Sequence, residues 1–296
     1  MASTKTQEPQ TGEPMPEELK INPLAVIEST SISQTMTDDD FFGLDTGMED
    51  ITSADVTLPR YVILQGLSPQ INPRKDEYVE GAQMGMILNT ATGKVHKSIE
   101  LIFASYQRRN IEWTPRDKPC PIPGMPQVTG GGLYKDYGTD DSILEECKLW
   151  EENNSLWTPR GNELVVTGTW YVIDPATLSV GFIAMGKTQF TASKKLLGGI
   201  RDEKIMTSRG IMPAPLFYRA WEMGTVIRKN GENEWFVWNH KPSTKISDMS
   251  HGRAIIAEVK EIVRTIREGE MTIDVAIGEA SEASGGSRHT GDDARM

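Results

Sequence analysis

Two stretches of the sequence concentrate cations among aromatic side chains. Residues 94–118 hold six Lys and Arg against three acids, and residues 187–229 hold nine against three. Tyr106, Trp113, Trp170, Tyr171, Tyr218, Trp221, Trp235 and Trp238 lie in or near these stretches. Binding a single nucleic-acid strand without regard to sequence calls for this pairing. Cations follow the phosphates, and aromatic faces stack on bases at about 1–3 kcal/mol each. The expected phosphate contacts are Lys94, Lys97, Arg108, Arg109, Lys187, Lys194, Lys195, Arg219 and Arg228, and the expected stacking residues are Tyr106, Trp113, Trp170 and Trp221. Alternation in "ELVVTGTWYVI" sends Trp170 and Tyr171 to opposite faces of a strand, so at most one of them is free. The odd spacing of Trp235 and Trp238 separates that pair in the same way.

Other chemistries find little support. His96, His240, His251 and His289 have no close ligand spacing, and Cys120 and Cys147 form no CxxC pair. Neither a metal nor a cofactor is expected, and the two cysteines read as free thiols. The chain lacks GxxxxGK[ST], a strand-linked GxGxxG, HExxH and GxSxG. Catalysis is therefore not expected. A metal-dependent enzyme acting on nucleic acid, its carboxylates gathered from distant positions, stays as an alternative.

Charge is unevenly placed. Residues 1–59 carry twelve acids and two Lys, a net −10 of the chain's −11, which leaves the remainder at −1. So polar and acidic a segment cannot offset its ordering entropy, and residues 1–55 are expected to be a disordered tail. Within it, "TDDDFFGLDTGMED" embeds Phe41, Phe42 and Leu44 beside Asp38, Asp39 and Asp40. Acidic segments with buried-type aromatics dock on basic, apolar-rimmed partners, so these six residues are the partner-binding candidates. An interaction or virion-associated protein working through this tail is the second functional reading. The N-terminus shows no secretory pattern, and no stretch reaches the roughly 18 apolar residues of a membrane span. The expected location is the cytoplasm, with no membrane partner; the oligomeric state stays open.

The elements that must position these residues are mostly strands. Val62–Leu67 read as a first strand, and a second ends near Asn89. After a turn at Thr92–Lys94, another strand covers Ile99–Gln107. Five prolines and Gly130–Gly132 make 114–134 a loop, and a weakly helical acidic piece follows. "NELVVTGTWYVID" and "LSVGFIAMGKTQF" form a hairpin, and "TASKKLLGGIRDEK" predicts a short helix over 191–204. Two strands flank the "NGEN" turn. Ile255, Ile256, Val259, Ile262, Val263 and Ile266 then recur at helical spacing, so one amphipathic helix docks on the sheet.

The resulting fold class is mainly β: an OB-fold-like barrel, closed or nearly so, with one internal helix and a C-terminal amphipathic helix. An α+β sandwich is the alternative. The expected organisation is one nucleic-acid-binding domain over 56–270, with a long loop insertion at about 114–160 and a flexible tail over 271–296. Trp-Thr-Pro-Arg occurs at 113–116 and again at 157–160, with flanks that do not repeat. The two copies bracket the insertion as its hinges, which adds Arg116 and Arg160 as secondary DNA contacts. Trp113 and Trp157 should then lie near each other.

The order of motifs resembles a family of tailed-bacteriophage early proteins. It runs through "LPRYVILQGLSPQ", "NTATGKVHKSIELIFASYQRRNIEWTPR", a Pro/Gly/Cys-bearing insert, "GKTQFTASKKLLGGI" and "PLFYRAWEMGTVIRKNGENEWFVW", about residues 56–241. The resemblance implies an OB-like core that binds single-stranded DNA in replication or recombination, with replication or recombination proteins as partners through the tail. Relatives carry several cysteines in the insert, where this chain has only Cys120 and Cys147. The acidic tail here is N-terminal, whereas many single-strand binders carry theirs at the C-terminus.

Overall fold

The computed structural model describes residues 58–147, 151–152, 155–231 and 233–269. The expectations for the tails, including Asp38, Asp39, Asp40, Phe41, Phe42 and Leu44, lie outside the described residues. In chain order the strands begin with β1 (Tyr61–Ile63), β2 (Ile87–Asn89), β3 (Val95–His96), β4 (Ile99–Trp113) and β5 (Leu133–Asp136). Helix α1 (Ser142–Cys147) precedes β6 (Glu151–Glu152), β7 (Ser155–Trp157), β8 (Glu163–Ile173) and β9 (Val180–Met185). Helix α2 (Lys187–Asp202) leads into β10 (Lys204–Thr207) and β11 (Gly210–Pro213). The chain continues through β12 (Arg219–Asn230) and β13 (Asn233–Lys245) to α3 (Gly252–Glu268).

The long antiparallel pair β4 and β8 forms the centre, in register from Ile102 opposite Ile173 to Trp113 opposite Glu163. On the far side of β4, β12 pairs with its first residues and β5 with its last. Strand β8 is likewise shared, by β7 at its start and by β9 along the rest. Side-chain alternation divides β4 and β8 between two cores. Leu101, Phe103, Trp170 and Val172 face α2 through Leu196 and Ile200, while Ile102, Ala104, Tyr171 and Ile173 face Ile255, Val259 and Ile262 of α3. A sheet covered by a helix on each face buries both phases of the alternation. Mainly β with an internal and a C-terminal amphipathic helix is the fold class observed. None of the helices among the described residues is long and apolar enough to cross a membrane.

The barrel expectation needs correction in one respect: backbone pairing does not close the sheet. A single parallel bridge, Arg60 to Phe182, joins the segment entering β1 to β9, and β13 ends the other side. Two glutamines span the gap. The Gln65 amide donates to the Phe236 carbonyl (2.9 Å) and accepts from the Phe236 N–H (2.9 Å). Gln189 of α2 donates to the same carbonyl (2.8 Å) and accepts from the Trp238 N–H (3.0 Å). A side-chain amide carries the donor and acceptor of a peptide, so these two satisfy some of the edge that a further strand would have paired.

The insertion is also more ordered than a loop. It holds β5, α1, β6 and β7, and β4 runs on to Trp113, where the sequence suggested an end near Gln107. Prolines confine the irregular portion to the segment before β5, and the glycines that follow continue the pairing. Thr114 N–H donates to the Gly132 carbonyl at 3.0 Å, and Gly131 N–H to the Pro115 carbonyl at 3.0 Å. Helix α2 begins at Lys187, four residues before the predicted start, and it is followed by a β10–β11 hairpin that the sequence pattern does not mark.

Candidate nucleic-acid interface

Helix α2 can lie close on β8 because residue 168 is glycine, where any Cβ would collide with the Ser193 hydroxyl. That hydroxyl accepts a hydrogen bond from the Trp170 indole at 2.9 Å. With Gln189, Ser193, Leu196 and Ile200 buried, the opposite face of the helix points outward. It presents Lys187, Thr191, Lys194, Lys195, Gly198 and Arg201, all exposed. Lys194 Nζ lies 4.8 Å from the centre of the Phe190 ring. Next to the helix, burial first and then the charge of Lys195 hold the His240 imidazole below its ordinary pKa, so it stays neutral near pH 7. The chain passes directly into the β10–β11 ribbon, where Lys204 and Arg209 are exposed. Residues 187–213 thus carry six cations against Asp202 and Glu203, and Glu203 is engaged by Arg219 at 2.6 Å.

The other expected cations divide by whether an acid sits on a neighbouring element. Arg109 is held by Asp136 through two donors (3.1 and 2.9 Å), and Arg108 by Asp141 at 3.3 Å. Lys187 reaches Glu163 at 2.8 Å and Arg219 reaches Glu203, so both are already engaged. Lys194, Lys195, Lys94, Lys97 and Arg228 are exposed and outside every ion pair found among the described residues. The first two share α2. Lys94 and Lys97 flank β3, and Arg228 is near the tip of the β12–β13 hairpin. Arg116 is exposed where the chain enters the insertion.

Three of the four expected stacking residues are corrected. Trp170 is 0% exposed, and Trp221 and Trp113 are also buried, so none presents a ring face to a base. Trp170 and Tyr171 do take opposite faces, but the two helices cover both. Tyr106 is half-buried, its ring 4.5 Å from that of Trp170. The aromatics that pair a partly open ring with a cation are different ones. They are Phe190 beside Lys194, Tyr218 with Lys245 at 5.6 Å, Trp235 opposite Arg228 in the β12–β13 register and, at the insertion, Tyr134 with Arg160 at 5.5 Å and Tyr137 with the exposed Lys135 at 4.4 Å. The Phe190–Lys194 pair is spaced i, i+4, a signal that a helical reading starting at residue 187 would have exposed.

At the other end of β4 the arrangement is closed. The Glu112 carboxylate is fully buried and accepts five hydrogen bonds. They come from Thr158 (2.7 Å), twice from Arg160 (2.9 and 2.8 Å), from Asn162 (3.0 Å) and from the Tyr137 hydroxyl (2.7 Å). Burial alone would raise the pKa of this acid, but the donors, Arg160 foremost, outweigh it and hold the carboxyl below its ordinary range. Arg160, expected as a DNA contact, is therefore a structural partner. The hinge reading of the Trp-Thr-Pro-Arg pair gains support here. Trp113 and Trp157 flank the same residue, Glu163, from adjacent strands. The arginine of the second copy binds the residue just before the first. Cys120 and Cys147 are buried free thiols in separate apolar clusters, with burial and then Glu112 pushing Cys147 up to about 11. Among the described residues no group of three or more His, Cys, Asp or Glu could hold a metal ion.

A family model described as Pam3 phage gp34-like protein matches residues 27–272, and the chain belongs to that family. No curated protein and no solved structure matches it.

Proposed function

We propose that this member of the Pam3 phage gp34-like family binds single-stranded DNA, acting in phage replication or recombination without chemistry of its own. The observation that carries the reading is the outward face of α2 and its continuation into the β10–β11 ribbon. Lys194, Lys195, Arg201, Lys204 and Arg209 stand there exposed, and between residues 187 and 213 Asp202 is the one acid not tied to a cation in another element. Cations that are not neutralised by the protein hold counterions, and release of these on contact with phosphates drives association. Phe190, beside Lys194, is the ring best placed to stack on a base next to those charges. The antiparallel sheet with amide-bridged edges serves as the OB-like scaffold. In this reading the acidic segment around Phe41 and Phe42 recruits a replication or recombination partner.

The test is anisotropy of labelled oligo-dT against the full chain over a range of salt. If four phosphates are neutralised, the log–log slope should be about −3, near −0.7 for each contact on a single strand. Absence of binding at low salt, or binding that ignores salt, would overturn the proposal.

A further inference from the structure

The β10–β11 hairpin presents an apolar pair that no other described element covers. Met206 and Ile211 are cross-strand partners, 77% and 68% exposed. Alternation puts them on the face shared by Lys204 and Pro213, while half-buried Ile205 and Thr207 and the 43% exposed Met212 point to the other side. The ribbon is a two-stranded sheet of its own, and Gly210, with φ of +102°, makes the turn beside Arg209. Residues 204–213 contain Lys204 and Arg209 and no acid. Neighbouring apolar side chains on a ribbon that also carries two cations and no acid make a candidate contact surface for an anionic partner. A second ribbon would set like charges against each other with nothing to neutralise them. A polyanion with apolar layers inside it satisfies both the cations and the pair.

We propose that this ribbon is a wedge. Met206 and Ile211 enter a base step where single-stranded DNA meets duplex, and Lys204 and Arg209 hold the phosphates on either side. Unbranched and branched aliphatic side chains are suited to this, because they separate stacked bases without needing hydrogen bonds. The wedge rests on the DNA-binding reading above and adds a place and a substrate to it: a forked junction, whose terminal pair is the easiest to unstack.

The experiment uses the full chain and a forked DNA carrying 2-aminopurine at the last pair before the fork, with labelled oligo-dT as a parallel ligand. The wild type should raise 2-aminopurine fluorescence on binding the fork. M206S/I211S should lose that rise while its oligo-dT affinity stays within about threefold, since phosphate contacts dominate that affinity. K204A/R209A should need more protein to reach the same rise. The wedge is overturned if the wild type binds oligo-dT without a rise at the fork, or if M206S/I211S gives the full rise. It is equally overturned if sedimentation shows self-association that M206S/I211S abolishes, which would assign the pair to a second copy. If neither DNA is bound, the DNA-binding reading falls and the wedge falls with it.

Discussion

Arginine and lysine meet opposite fates at two places in this molecule. At the end of β4, Arg160 is drawn onto a buried carboxylate together with Thr158, Asn162 and Tyr137, and the insertion is fastened to the sheet. On α2, Lys194 and Lys195 project from a helix whose one acid, Asp202, stands at its far end and forms no ion pair with them. The residue types are alike, and the difference is the neighbouring element. Asp136, Asp141 and Glu163 all belong to the insertion or its border, and they occupy Arg109, Arg108 and Lys187. Local positive charge in a sequence is therefore a weak guide to a binding face until the acids across from it have been located.

The contrast breaks most visibly at Glu112. Glu112→Ala should cost about 3–5 kcal/mol in urea denaturation, because four partners lose a buried charge at once. The pH dependence has a fixed sign. The folded carboxyl lies below its ordinary range, so its contribution is fully present above the unfolded value of about 4.3 and fades as pH falls through the folded one. That acid-side loss should be missing in Glu112→Gln. Next in size, Gly161→Ala should cost about 2–3 kcal/mol. Gly161 has φ of +77°, and a Cβ there would strike the Pro126 carbonyl, which lies inside the insertion. Gln189→Ala should cost about 1–2 kcal/mol, since it removes the amide that bridges α2 to β13. The smallest effects belong to exposed charges. Arg108→Ala should cost less than about 1 kcal/mol, and K194A/K195A should stay within about 0.5 kcal/mol of the wild type. An α2 pair that proved as costly as Glu112 would remove the distinction between a structural and a functional cation.

Much of the frame was legible in the sequence. The period-two pattern of 162–174 became β8, and the isoleucine and valine spacing after Gly252 became α3 on the sheet. The start of α2 is hidden because Lys187, with φ of +45°, and the extended Gly186 give no side-chain cap to read. Trp170 and Trp221 mislead because an aromatic residue near cations in the chain need not be accessible, and both lie in the core beneath α2. Edge bridging by Gln65 and Gln189 joins Phe236 to residues 171 and 47 positions away in the chain, a pairing that no local pattern records. The Glu112 network likewise spans up to 50 residues.

If the proposed binding holds, DNA meets the α2 face and not the insertion end. Oligo-dT anisotropy at low salt should compare wild type, K194E/K195E/R201E and a control on the insertion side, K135E/R108E, which changes the exposed Lys135 of β5 and Arg108 of β4. The α2 variant should bind about tenfold or more weakly, with a salt slope shallower by about 2, while the control stays within about twofold of wild type. Equal losses in both variants, or an α2 variant that binds as the wild type does, would contradict it.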